Sequence, residues 1–141
     1  MTKHTLTRRA FIAAATTSAA MTWAQTPNTA KVVPRKLSPN EKMNVAGIGA
    51  GGKGLYDIMN CKRENIVALC DVDWEQAAEG FYRNPDAKKY KDYRKMLEEM
   101  GDGIDACTIG TPDHTHAPAA YMAMMLGKHV YVEKPLTHTI A

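Results

Sequence analysis

Five glycines crowd into eight positions, Gly47, Gly49, Gly51, Gly52 and Gly54, directly behind the apolar run Met43 to Ile48. Behind them Leu55, Ile58 and Met59 recur at roughly helical spacing up to Cys61. An apolar run, a turn only glycine can make and an amphipathic helix describe the opening of a strand–turn–helix unit. The rest of the chain repeats the alternation. Ile66 to Cys70 is a second continuous apolar run, as expected of a strand covered on both faces of a parallel sheet. The pattern predicts a helix over Trp74 to Tyr82 with Asp73 as its N-cap, a very short strand at Tyr90, and a helix over Tyr93 to Met100 that Gly101 stops. Ile104 to Ile109 reads as a strand, Pro118 to Leu126 as a helix with Gly127 past its end, and Val130 to Val132 as the last strand. The fold class is therefore α/β, a Rossmann-type doubly wound parallel sheet with right-handed crossovers.

The glycines admit two G-x-G-x-x-G registers, Gly47/Gly49/Gly52 and Gly49/Gly51/Gly54. We choose the second, because it leaves Gly47 inside the strand and starts the helix near Leu55. Glycines there let the backbone approach a pyrophosphate, and the helix's free N–H groups offset its charge. Asp71 ends the second strand 22 positions after Gly49, close to the separation of about 20 at which an acid meets the ribose hydroxyls of a dinucleotide. An acid repels a 2′-phosphate, which favours NAD over NADP. The same features suit other nucleotide-binding turns, including those of S-adenosylmethionine-dependent methyltransferases, and Asp71 or Asp73 could serve simply as a cap.

A second polar loop, Thr111-Pro112-Asp113-His114-Thr115-His116, follows the strand ending at Ile109 and precedes a helix. Its two histidines lack a third ligand at a clear spacing, so no metal is expected. A third, Glu133-Lys134-Pro135, follows Val132. That places a lysine and a carboxylate at the carboxyl end of a strand, where open α/β sheets put their chemistry. The methionines of the Pro118 to Leu126 helix read as core filler. Cys61, Cys70 and Cys107 lie in apolar runs and, being odd in number, do not suggest a disulfide framework.

Before Met43 the chain differs in kind. Residues 25–42 have the composition of a linker. Residues 1–24 begin polar, carry Arg8-Arg9 before Ala10-Phe11-Ile12, and continue with small or weakly apolar residues. This resembles a bacterial twin-arginine (Tat) export signal, with cleavage after Ala20 or Ala24. The apolar stretch is too short to span a membrane, which takes about 20 apolar residues. Localisation is expected to be periplasmic or otherwise exported, the Tat machinery being a partner and no stable membrane anchor being present. Of the 18 Lys and Arg, three lie in this leader, leaving 15 against 15 acidic residues. A neutral body offers no electrostatic footprint for nucleic acid.

Four motifs in order carry a family resemblance: Val45 to Gly54, Ala68 to Asp73, Thr111 to Pro118 and Gly127 to Thr137. Together they resemble the amino-terminal domain of the Gfo/Idh/MocA oxidoreductases, with residues 43–141 as the nucleotide-binding domain. The resemblance implies hydride transfer between a nicotinamide cofactor and a sugar, cyclitol or polyol derivative, in a protein that is a homo-oligomer at full length. By the family's pattern Gly49, Gly51 and Gly54 cradle the pyrophosphate and Asp71 holds the adenosine ribose. Thr111, Pro112 and His116 line the nicotinamide side with Glu133 nearby, and Lys134 reaches the substrate hydroxyl or the nicotinamide ribose. Oxidising a carbinol requires removal of its hydroxyl proton, and a lysine beside it can hold that oxygen or relay the proton. The family continues with a second, α+β domain that supplies most substrate contacts. The chain thus reads as incomplete at its carboxyl end and as inactive alone, leaving a non-catalytic nucleotide-binding module as the alternative and a methyltransferase-like domain as a further one.

Overall fold

The structure, a computed structural model, describes Arg35 to Thr139; the leader expected over 1–24 lies outside the described residues. Five strands form one parallel sheet: β1 (Asn44–Ile48), β2 (Asn65–Cys70), β3 (Lys88–Tyr90), β4 (Ala106–Ile109) and β5 (His129–Val132). Their spatial order is β3-β2-β1-β4-β5. Burial explains the order. β1 lies at the centre with four of its five residues buried, while β3 and β5, at the edges, are short and half exposed. In β1, Gly47 stands opposite Leu69 on one side and Thr108 on the other.

Helices cover both faces, as a parallel sheet requires. On one face Ala46, Ile48, Cys70 and Ile109 pack with Met96 and Leu97 of α3 (Tyr93–Met100) and with Ala119, Ala120 and Ala123 of α4 (His116–Met125). On the other, Leu69 packs with Ile58 of α1 (Gly52–Asn60) and Phe81 of α2 (Ala78–Arg83). Alanines and a glycine at the contacts let helices approach closely: a Cβ on Gly47 would stand 2.7 Å from the Ile58 side chain. Gly127, at φ +70°, ends the α4 segment, and the next N–H, on Lys128, returns to the Ala123 carbonyl at 3.0 Å, a left-handed glycine stop.

The sequence reading differs in detail at three places, the first being α1, which begins at Gly52 rather than near Leu55. The helix expected from Trp74 becomes regular only at Ala78, but Asp73 caps the segment as expected: its Oδ1 accepts the N–H groups of Glu75 and Gln76 at 3.0 and 3.1 Å, and the Ala77 N–H returns to the Asp73 carbonyl at 3.0 Å across the turn 74–77. Residues 35–42, read as linker, are fastened to the domain. The Arg35 guanidinium donates to both oxygens of Asp105 at 3.0 and 2.7 Å and also pairs with Glu41. Asp105, which is buried, additionally accepts the Asn44 N–H at 2.8 Å.

Candidate functional site

The chain leaves β1 for a helix on one face and leaves β4 for a helix on the other. The carboxyl ends of these adjacent strands therefore diverge and open a crevice, the switch point at which such sheets bind ligands. Gly49 makes the turn out of β1 at φ +88°, and its N–H donates to the Cys70 carbonyl at 2.8 Å. Gly54 sits directly beneath, and a Cβ there would meet the Gly49 carbonyl oxygen at 2.1 Å. The register Gly49/Gly51/Gly54 thus spans the turn, with Gly47 inside β1. Gly110 at the end of β4 belongs to the same close approach, since its Cβ would stand 2.5 Å from the Gly54 Cα. Sequence reasoning passed over it, although Ile109-Gly110-Thr111 after a strand was a signal.

Helix α1 starts at this turn with no side chain capping its amino end. Uncapped N–H groups at a helix start form a site for an anion. A cleft of about 440 Å³ runs over it, lined by Gly49, Gly51, Asp71, Val72, Thr111 and Pro112. Asp71 Oδ2 accepts the N–H groups of Ala50 and Gly51 at 2.8 and 3.1 Å, so it braces the turn while facing the cleft. A turn packed so closely that Cβ atoms at 49, 51 and 54 would strike neighbouring backbone, an uncapped helix start and an acid at the end of β2 suit an adenosine diphosphate unit with a free ribose.

An adjoining recess of about 320 Å³ is lined by Lys53, Thr111, His116, Glu133 and Lys134, among others. Thr111 belongs to both clefts. His116 is only 2% exposed and works from beneath. Its Nε2 meets the Thr111 carbonyl and its Nδ1 the Pro135 carbonyl, each at 2.7 Å, which stitches the two polar loops together. Lys134 is exposed, and the Lys134–Pro135 peptide is cis. Glu133 pairs with Lys53, whose Nζ donates to it at 2.6 Å, and this pairing first, helped by the Tyr131 hydroxyl, holds its carboxyl below the usual range. His114 is exposed and lies apart from the two carbonyls that hold His116. Among the described residues no group of three or more His, Cys, Asp or Glu side chains is placed to hold a metal.

Fold and site together define an NAD-binding Rossmann domain. Residues 42–141 match the oxidoreductase family with an NAD-binding Rossmann fold known as Gfo/Idh/MocA, and the chain belongs to that family. Relatives include a glycosyl hydrolase family 109 protein of Shewanella sp. (strain ANA-3), 33% identical over 121 residues that cover 77% of this chain and 25% of the relative. An alpha-N-acetylgalactosaminidase of Shewanella oneidensis is 32% identical over 127 residues, covering 81% and 27%. Among solved structures, myo-inositol dehydrogenase from Lactobacillus casei in complex with NAD(H) and myo-inositol aligns with TM-score 0.63 at 27% identity, covering 70% of this chain and 30% of that one. UDP-N-acetylglucosamine 3-dehydrogenase from Acidithiobacillus ferrooxidans aligns with TM-score 0.57 at 29% identity, covering 68% and 29%. The chain spans about a quarter of the length of these curated relatives.

Proposed function

We propose that the chain is the nucleotide-binding part of an NAD-dependent dehydrogenase acting on a sugar, cyclitol or polyol derivative. The observation that carries this reading is the glycine turn under an uncapped α1, with Asp71 at the neighbouring strand end. Gly49, Gly51 and Gly54 would hold the pyrophosphate, and Asp71 the adenosine ribose, where its charge disfavours a 2′-phosphate and so favours NAD. Thr111 and Pro112 would flank the nicotinamide, with His116 keeping their loop against the Glu133-Lys134 segment. Bound nicotinamide supplies a hydride acceptor. Lys134, exposed at the recess, would hold the substrate hydroxyl and relay its proton.

The twin arginine further supports export of the whole protein by the Tat route, which carries folded proteins, as a homo-oligomer with its cofactor already held. A reporter joined to residues 1–24 should reach the periplasm only while Arg8 and Arg9 are intact. Titration of the chain with NADH tests the binding reading: NADH binds, NADPH binds more weakly and S-adenosylmethionine does not compete. Binding of S-adenosylmethionine in place of NADH would overturn it. The resemblance to an alpha-N-acetylgalactosaminidase favours a second reading, glycoside cleavage on the same nucleotide domain, since some glycosidases depend on NAD. Net NADH formation with a polyol, against glycoside cleavage without it, separates the two in the full-length protein.

A further inference from the structure

Lys53, in the first turn of α1, is held between two carboxylates on opposite sides of the switch point. Its Nζ donates to Asp57 Oδ1, one turn on in the same helix, at 2.5 Å, and to Glu133 Oε1, just past β5, at 2.6 Å. The Asp57 side chain is only 4% exposed, and its Oδ2 has no hydrogen-bond partner. That oxygen lies 3.2 Å from where a Cβ on Gly110 would stand, so Asp57 is packed under the turn that closes β4. The Tyr131 hydroxyl donates to the same Glu133 oxygen at 3.2 Å.

Exposed ion pairs contribute little, because water competes for both partners. This one differs on one side only. A buried carboxylate is costly unless a cation answers it, and Lys53 is the cation that reaches Asp57. Helix α1 fixes Asp57, Asp57 fixes the ammonium, and the ammonium presents a fixed donor to Glu133. Its hydrogen bond to Asp57, and next that to Glu133, lift the Lys53 ammonium above the usual lysine range, so the arm stays charged. Glu133 is joined directly to Lys134.

We propose that Lys53 is a positioning residue: anchored on buried Asp57, it fixes Glu133 and thereby sets where Lys134 enters the recess, coupling the nicotinamide half of the site to the diphosphate half through α1. This rests on the dinucleotide reading above. It differs from direct recognition of the diphosphate by Lys53, which would act equally on any ligand carrying that group.

The two are separated by titrating the full chain with NADH, followed by its fluorescence, and with ADP, which carries the diphosphate but no nicotinamide ribose. Lys53→Met should weaken NADH by about tenfold, a loss typical of one charged hydrogen bond, while ADP changes by less than about twofold. Lys53→Arg should restore most of the NADH affinity. Glu133→Gln should weaken NADH similarly, and the double variant no further, because both remove one link. Losses that add, an equal loss for ADP, or unchanged NADH binding in Lys53→Met would each overturn the proposal while leaving the dinucleotide reading intact. Failure of the unaltered chain to bind either ligand would overturn both.

Discussion

Asp71 and Gly51 are joined across the first two strands, the carboxylate Oδ2 accepting the glycine N–H at 3.1 Å together with that of Ala50 at 2.8 Å. Oδ1 takes the Asp73 N–H at 3.0 Å. The acid that lines the cleft, and that the proposed reading gives to the ribose, is thus also the brace of the glycine turn, and two substitutions separate the duties. Asp71→Asn keeps an acceptor oxygen but no charge. It keeps one of the two accepting oxygens and so should lower the melting temperature less than Asp71→Ala, while the NADPH-to-NADH affinity ratio rises about tenfold, one charge's worth at short range. Asp71→Ala removes the acceptor as well, and should lower both the melting temperature and NADH affinity. Parallel NADH and NADPH titrations with thermal melts check both.

Gly54 and Gly101 make a paired test of the turn. A methyl at position 54 would meet the Gly49 backbone carbonyl oxygen at 2.1 Å, and its obstacle is backbone rather than a flexible side chain. Gly54→Ala should cost at least about 3 kcal/mol, the upper range for overpacking, and should remove nucleotide binding. Gly101 lies at helical φ −48° and ψ −46° with open space around its Cβ position. Gly101→Ala should stabilise by about 0.5 kcal/mol through the unfolded chain. Urea or thermal unfolding of the two variants reads the contrast.

The strands and the glycine turn are legible in the chain because their signals are local. Continuous apolar runs mark β1, β2 and β4 and carry Gly47 with them, whereas the helix reads from Leu55 and begins at Gly52, because glycines carry no helical signal of their own. What the chain does not display is side-chain contact between distant segments. Lys53 and Glu133 are 80 positions apart and Arg35 and Asp105 are 70 apart. Neither pairing leaves a periodic trace. Asp57 looks like an ordinary polar residue of an amphipathic helix until the approach of Gly110 buries it. The late start of α2 follows a capped turn that propensity does not show: the Asp73 side chain accepts the free N–H groups of Glu75 and Gln76, and regular helix begins only after it.

The Arg35–Asp105 pair predicts a stability that falls in acid. Arg35 holds the Asp105 carboxyl below its ordinary value, with the Asn44 N–H assisting. A group depressed on folding contributes stability in full above its unfolded pKa of about 3.9, and loses it as pH falls through the lower folded value. Asp105→Asn should therefore melt lower than the unaltered chain at pH 7. The gap should begin to narrow once the pH passes below about 3.9, where the unfolded chain takes up a proton at Asp105 while the folded chain still holds the charge, and should level off only below the folded value. A gap that is flat from pH 7 to pH 3 would rule out the charge as its source.

The three cysteines should react unequally. Burial pushes the thiols of Cys70 and Cys107 up to about 12, so almost no thiolate forms at neutral pH and a reagent in water cannot reach them. Cys61, past the end of α1, is only partly buried. A disulfide-exchange reagent at pH 8 should label Cys61 alone in the folded chain, slowly, because burial and then the nearby Asp57 raise this thiol too. Denaturant should release the other two, and mass mapping identifies the order.

His116 joins the two loops that flank the recess, and its removal should be felt in both. The ring is buried, with the Thr111 and Pro135 carbonyls each 2.7 Å from one of its nitrogens. A neutral imidazole donates from a single nitrogen, so one carbonyl is satisfied and the other engages the ring fully only when it carries a second proton. His116→Ala loses these bonds and leaves a cavity beneath the Thr111 turn. It should destabilise the chain by about 2–3 kcal/mol, the range of a buried polar truncation. His116→Phe refills the volume without the donors, which separates packing from hydrogen bonding. In that variant most of the melting temperature should return, yet amide hydrogen exchange at Lys134 and Leu136 should still be faster than in the unaltered chain, because nothing ties the Pro135 carbonyl to α4. If His116→Phe protects Lys134 as well as histidine does, the stitch is steric and the two hydrogen bonds are incidental.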